Sequence, residues 1–295
     1  MPGYLVKVRK KMDIYAQRRV RNVLSGNYGS VFKGRSMDFD DLREYNYGDD
    51  VKDIDWKATA RSRTIMIRRY IAIRKHNIMI VADNGNSMAA LAPSGESKAE
   101  VAAFCAGVIA YIAKKHGDLV GMVYGNRGGN KRYVMKEDTP YIENFLKKYS
   151  QSIKVDGAES DINSVLTFIS KSFRERMFLI VITDPNSAAT LDRNLVRRLN
   201  ARHEQMYILV EDSPLTNKSL LNSDVNDMND GVRLPHYFRA NKKIAAAEEE
   251  YRKSLAEKIQ KGLHRFGVVS TTVPGSEKAI PMIFKMLEEQ KRVRR

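Results

Sequence analysis

The chain has 295 residues, 43% hydrophobic and 29% charged, enough to build a core for one large domain or two modest ones. Its 51 Lys and Arg against 35 Asp and Glu leave a formal charge of +16, which calls for an acidic partner: RNA, an anionic membrane or an acidic protein surface. The single cysteine, Cys105, excludes an intramolecular disulfide and a thiolate metal cluster, and residues 1–13 are basic without an apolar stretch behind them, so a cytoplasmic protein with no secretion signal is expected.

Residues 1–75 are the most basic quarter, with 18 Lys and Arg against 9 Asp and Glu. A basic helix is predicted over 9–23, followed by a stretch over 26–47 that mixes aromatics, glycines and carboxylates. Ile65, Ile67, Ile71 and Ile73 then alternate with polar or small residues, as in a half-buried strand. Arg61, Arg63, Arg68, Arg69, Arg74 and Lys75 surround it, and with the tail Lys291, Arg292, Arg294 and Arg295 they motivate an alternative function, salt-sensitive nucleic-acid binding.

From residue 77 the pattern alternates short apolar strands with amphipathic helices. Strands are predicted at 77–82, 119–124, 132–135, 177–183, 206–210 and 268–272, and helices at 97–115, 141–149, 161–173, 191–200 and 278–291. The turn-rich residues 125–130 make strands 119–124 and 132–135 a hairpin. The run 177–183, MFLIVIT, reads as a central strand buried on both faces. The apolar run 101–113 is shorter than the roughly 18–20 residues that span a bilayer and reads as a buried helix.

Such alternation predicts an α/β fold, a mostly parallel sheet with helices on both faces, preceded by a smaller β-containing segment. The domains expected are 1–75 and 76–295, the second interrupted by an insertion at about 213–265, where a polar stretch over 214–230 precedes a charged, exposed helix over 241–264. Ligands of open α/β sheets sit beyond the carboxyl ends of the strands, and Asp83 and Asp184 each stand at that end of a predicted strand.

The loop Asp83-Asn84-Gly85-Asn86-Ser87 resembles Asp-x-Ser-x-Ser, the opening of the metal-ion-dependent adhesion site of von Willebrand factor A-like domains. A small hard cation needs oxygen ligands in near-octahedral array, and a loop leaving a strand aims hydroxyls and a carboxylate at one point. By this resemblance Asp83, Ser87, Ser160 and Asp184 form the metal set for Mg2+ or Mn2+, Ser160 standing in for a threonine. Gly85 departs from the pattern by removing one hydroxyl, which weakens the site. Taken singly, Ser160 reads as a helix N-cap and the two aspartates as loop caps.

The segment 34–61 resembles the signature of the DUF58 family: Gly34, Phe39, Leu42-Arg43-Glu44-Tyr45, Gly48-Asp49-Asp50, Ile54-Asp55-Trp56 and Ala58-Thr59-Ala60-Arg61. The resemblance implies a von Willebrand factor A-like, Rossmann-type sheet in a non-enzymatic adaptor or co-chaperone that works with a MoxR-type AAA+ ATPase and a protein client. Many members carry transmembrane helices near the N-terminus, and here none is predicted. A docking surface is expected on Arg43, Tyr45, Gly48, Asp49, Asp50, Asp55, Trp56 and Arg61, with the solitary Trp56 anchoring an apolar contact and Asp49, Asp50, Asp53 and Asp55 forming an ion-pair network with Arg43, Lys52, Lys57 and Arg61. A metal-dependent hydrolase built on Asp83 and Asp184 is the third reading. It lacks a base, since His76, His116, His203, His236 and His264 are scattered, and no Gly-x-Ser-x-Gly elbow or phosphate loop is present, so no enzyme is expected.

Overall fold

Leu5, Val8, Met12 and Tyr15 recur at the spacing of one helical face and make the inner stripe of α1 (Tyr4–Arg18) in the computed structural model. The helix starts five residues earlier than charge suggests, because its apolar stripe sets its extent. Glu143 caps it from outside by accepting the amides of Tyr4 and Leu5, the latter at 2.9 Å. The Tyr15 ring stacks on Phe284 at 5.7 Å. The structure describes residues 3–18, 38–71, 75–214, 225–226, 233–234 and 241–293. Expectations placed elsewhere lie outside the described residues: the 19–23 end of the basic helix, the stretch 26–37 with Gly34, Ile73, Arg74, most of the polar segment 214–230, His236 and the last two arginines.

The chain divides into two units, Phe32–His76 and a larger one of Met1–Val31 with Asn77–Arg295. Helix α1 therefore belongs with the larger unit, although 1–75 shares one sequence texture. In the small unit, β1 (Asp38–Glu44) pairs antiparallel with β2 (Met66–Ile71), and α2 (Trp56–Ser62) lies between them in sequence. Ile54 and Ile67 face each other across a bridge and are buried, which gives this unit its apolar centre.

The larger unit is built on one six-stranded sheet. Its strands are β3 (Asn77–Asp83), β4 (Leu119–Asn126), β5 (Gly129–Lys136), β6 (Phe178–Thr183), β7 (Glu204–Val210) and a last one, Val269–Val273, which is β10 because β8 (Val225–Asn226) and β9 (Arg233–Leu234) form a separate two-residue ladder. The order is β10-β7-β6-β3-β4-β5, parallel throughout except for the β4–β5 hairpin at one edge. All six residues of β6 are buried, as a strand covered on both faces requires.

Side chains alternate across β3. Met79 and Val81 join the core beneath α5 (Ile162–Ser172), α7 (Arg193–Arg202) and α8 (Lys242–His264), and Ile78, Ile80 and Ala82 face the opposite layer. That layer holds α3 (Lys98–Lys115), α4 (Thr139–Ser152) and α9 (Ser276–Val293), each with a buried stripe. Helix α1 packs on it, and Gly107 of α3 lets it approach closely: a Cβ there would lie 3.2 Å from Val8 Cγ2. A short α6 (Pro185–Ala189) follows β6. No helix of the described residues is long and apolar enough to cross a membrane. This is the α/β architecture that strand-helix alternation predicts, a mostly parallel sheet with helices on both faces, with a small antiparallel sheet in the N-terminal part.

The helix of the insertion differs from expectation. Instead of standing wholly exposed, α8 buries Ile259 and Leu263 in the core, and its Arg252 donates to Glu211 at 2.7 Å and to the Asp212 carbonyl at 2.5 Å. Leu255, Ile259 and Leu263, spaced four residues apart, form the apolar stripe by which its C-terminal half meets the core.

Candidate functional site

The order of the sheet reverses between β3 and β6: the chain runs from β3 outward to β4 and β5, then returns to place β6 and β7 on the other side. A crevice opens at the carboxyl ends of two such strands, because the loops that follow them leave in opposite directions. Asp83 is the last residue of β3 and Asp184 the first after β6, and both are fully buried there. The Asp83 carboxylate accepts the Gly85 amide at 2.8 Å and the Thr183 hydroxyl at 3.2 Å, and its carbonyl accepts Tyr149 at 2.9 Å. Asp184 caps α6 by accepting the Ser187 amide at 2.7 Å.

Two hydroxyls complete the set. Ser87 donates to Asp184 Oδ2 at 2.5 Å and shares a hydrogen bond with Ser160 at 2.7 Å, while Ser160 also bonds to Asp83. Asp83, Ser87, Ser160 and Asp184, about a hundred residues apart at the extremes, thus meet in one cluster. Ser160 is not the N-cap of α5, since Asp161 takes that role by accepting the Ser164 amide at 3.0 Å and leaves the Ser160 hydroxyl for the cluster. The Ser160 segment is pinned to the Asp83 loop by Asn86 N–H to the Ala158 carbonyl at 3.0 Å.

That pinning explains Gly85. Its φ of −68° is ordinary, but a Cβ would lie 2.3 Å from Ser160 Oγ and 2.4 Å from Ser160 N and Cα. The hydroxyl missing from Asp-x-Ser-x-Ser has lost its space as well as its atom, because backbone fills it.

Sequence reasoning missed two members. Lys98, at the first turn of α3 and fully buried, donates to Asp184 Oδ2 at 3.2 Å and to Asp212 Oδ1. Asp212 follows β7 and is held by its neighbours: the Glu211 amide donates to the Val273 carbonyl at 3.0 Å and the Ser213 amide to the Leu91 carbonyl at 2.8 Å. Both left a trace in the sequence. Asp212 ends an apolar strand as Asp83 and Asp184 do, and Lys98 puts a cation at a helix N-terminus, where the macrodipole opposes it.

The electrostatics follow from burial. Desolvation raises Asp83 to about 6, opposed by the Gly85 amide and reinforced by the charge of Asp184. Burial pushes Asp184 up too, yet the Lys98 ammonium, the Ser187 amide and the Ser87 hydroxyl outweigh it and hold the carboxyl below its usual range. Burial would lower Lys98, and the two carboxylates keep it raised and charged. Burial raises Asp212, against the pull of Lys98.

A hard divalent ion asks for this kind of donor, two carboxylates and two hydroxyls, but not for this arrangement. Here Ser87 is 2.5 Å from Asp184 and 2.7 Å from Ser160, and a resident ammonium already faces Asp184. Among the described residues no group of three His, Cys, Asp or Glu is placed to hold a metal ion.

The signature segment builds a different kind of site in the small unit. Arg43 pairs with Asp49 at 2.6 Å, and Asp49 accepts the Asn46 amide at 2.9 Å across a turn that Gly48 closes with φ +105°. Hydrogen bonding from Arg43 lowers Asp49. Asp50 pairs with Lys52 at 2.6 Å and caps the turn Val51–Asp53, while Asp55 caps α2 through the Lys57 and Ala58 amides, both at 3.0 Å. The Tyr45 amide donates to the Ile65 carbonyl at 2.8 Å, and Arg61 is exposed in the last turn of α2. Asp49, Asp50 and Asp55 thus each accept a backbone amide at a turn or helix start, the first two while paired with a cation. Trp56 is also placed otherwise than expected: it is 67% exposed and anchors no apolar centre, since Ile54 takes the inward position and Trp56 opens the helix on the outer side. Tyr47, Val51 and Ile65 are exposed on the same unit.

The profile of the family described as "Protein of unknown function DUF58" matches residues 41–231. Uncharacterised proteins of Mycobacterium bovis and Mycobacterium tuberculosis are 23% identical over 209 residues, 70% of this chain and 65% of their own length, so the match spans just under two thirds of those relatives. Among solved structures, similarity extends to a von Willebrand factor type A protein from Catenulispora acidiphila (TM-score 0.39, 11% identity, 75% of this chain and 44% of that one). It also extends to the SpRpn10 VWA domain (TM-score 0.36, 11% identity, 70% of this chain and 94% of that one).

Proposed function

This chain belongs to the DUF58 family, and we propose that it is a non-enzymatic protein-binding adaptor or co-chaperone that docks a MoxR-type AAA+ ATPase through the outward side chains of its signature segment and presents a protein client to it. The observation that carries this reading is Trp56, the only tryptophan of the chain, held out to solvent at the start of a capped helix with Tyr47 and Val51 exposed on the same unit. Aromatic side chains on a stiffened turn-and-helix scaffold lose little entropy on binding and serve as anchors of protein interfaces. Arg43, Asp49, Asp50 and Asp55 stiffen that scaffold, and Gly48 permits its turn. The charge of +16 favours a partner with an acidic face.

The Asp83 cluster fits a binding role, since both of its carboxylates are engaged by protein donors. The reading needs no Mg2+ or Mn2+ in that cluster.

The test is surface plasmon resonance of the full chain over an immobilised MoxR-type AAA+ ATPase from the same genome. Trp56→Ala is expected to weaken binding by roughly tenfold or more while leaving the unfolding temperature unchanged. No binding by the wild type, or equal binding by the variant, removes the docking reading. Binding instead to an oligonucleotide, with steep salt dependence, would favour the nucleic-acid alternative.

A further inference from the structure

We propose that Lys98 is the resident cation of the Asp83 cluster: its tethered ammonium takes the place that a divalent ion has in adhesion sites of this kind, so that the site is metal-independent. This stands on the geometry of the cluster and does not depend on which partner the chain binds.

Four observations converge on it. Lys98 is fully buried, an expensive place for an ammonium unless its charge is matched, and it is matched by Asp184 at 3.2 Å and by Asp212. The cation reaches the cluster from α3, whose first turn is fixed by the Ser97 cap and by the Lys98 amide donating to the Ala90 carbonyl at 2.9 Å. Asp212 has no part in the Asp-x-Ser-x-Ser pattern, yet its segment is tied on three sides, by Val273, Leu91 and Arg252 of α8, where its carboxylate accepts from the ammonium. Finally, the space for a further hydroxyl beside Asp83 is filled by the backbone of Ser160, and the oxygens that remain are drawn together by their own hydrogen bonds at 2.5 and 2.7 Å.

A covalently attached cation differs from a bound one in its consequences. It cannot be removed by a chelator, and it has no open coordination position, so a partner carboxylate has nothing to complete. Buried as it is, Lys98 organises the Asp184 and Asp212 loops from within and does not reach a partner. Recognition at this end of the sheet then rests on the shape of those loops rather than on a bridging ion.

The experiment is a calorimetric titration of Mn2+ into full-length, chelator-stripped protein, with unfolding temperatures recorded in EDTA and in Mn2+. The wild type is expected to give no saturable heat and the same unfolding temperature in both. Lys98→Met removes the ammonium and keeps the aliphatic stem, leaving Asp184 and Asp212 facing each other; it is expected to unfold at a lower temperature in EDTA, to be rescued by Mn2+, and to bind Mn2+ at least about tenfold more tightly than the wild type. The double variant Lys98→Met/Asp184→Asn is expected to lose that rescue. Saturable Mn2+ binding by the wild type that disappears in Asp184→Asn overturns the proposal, as does a folded Lys98→Met that gains no affinity for Mn2+. Should Lys98→Met fail to fold with or without Mn2+, the wild-type titration decides alone, absence of binding supporting the resident cation and presence overturning it.

Discussion

The two carboxylate-rich regions of this protein use the same residue type to opposite ends. In the small unit Asp49, Asp50 and Asp55 are exposed or half-buried, shape turns and cap α2, and the first two pair with cations that water also solvates. In the large unit Asp83 and Asp184 are buried at the switch point of the sheet, where each charge must be answered by a protein donor or a buried lysine. Exposed pairs contribute little because water competes for both partners, whereas a buried charge that loses its partner has no substitute. Surface carboxylates can therefore vary one at a time, while Asp184 and Asp212, with Lys98, stand or fall together.

The comparison breaks most sharply at Lys98. Lys98→Met strands two carboxylates and is expected to cost about 3–5 kcal/mol in urea unfolding, with Lys98→Met/Asp184→Asn recovering part of the loss; a single variant within error of the wild type would show that the pair is not a structural unit. Next comes Gly85→Ser, which restores the Asp-x-Ser-x-Ser pattern by sequence but drives a Cβ into Ser160 backbone. A loss of about 3 kcal/mol is expected, and no gain of metal binding.

The pH dependence of stability is the third test. Asp83 is raised to about 6, above its unfolded value of 3.8, so between those values the folded state holds a proton that the unfolded state has released. Its contribution to stability therefore falls as pH rises from about 4 to 6, by on the order of 2 kcal/mol, and Asp83→Asn should flatten this part of the profile while remaining at least as stable as the wild type at pH 7. Asp184 has the opposite sign, being lowered: its contribution is present above the ordinary carboxylate range and lost as pH falls below it. A wild-type profile that rises between pH 4 and 6 relative to Asp83→Asn would contradict the burial argument.

Effects in the small unit should be smallest. Asp55→Ala removes two cap bonds and is expected to cost about 1 kcal/mol, seen as faster amide exchange in α2 alone. Asp49→Asn, which weakens a half-buried pair but keeps an acceptor for the Asn46 amide, should move the urea midpoint little. A global loss from either would place the signature segment on the energetic footing of the buried cluster and erase the distinction.

Much of this was legible beforehand. Short continuous apolar runs buried on both faces and helices with one apolar stripe name the strands and helices of an α/β sheet, since burying either pattern admits few solutions. Asp83 and Asp184 were readable as a site because a carboxylate that follows a buried strand must lie at the strand's end. Lys98 and Asp212 were less so, because each signal is weak alone: one lysine in a helix's first turn, and one aspartate beside a glutamate after β7. Ser160 as an N-cap and Trp56 as the anchor of an apolar contact within its unit were displaced for one reason. Each residue has a neighbour, Asp161 or Ile54, able to take the same role, and packing chose the neighbour.

What the sequence by itself determined is the class of fold, the order of most elements and the presence of carboxylates at two central strand ends, because hydrophobic period and turn residues act locally along the chain. The tertiary structure alone decided what those carboxylates face. Gly85 marks a missing hydroxyl in one dimension and an occupied volume in three, and Lys98 is a surface-type residue until the sheet brings Asp184 and Asp212 around it. Distances between residues 86 and 114 positions apart are set by strand order and loop packing, and through them Asp184, a carboxylate that reads as a cation ligand, came to face a cation of the chain's own.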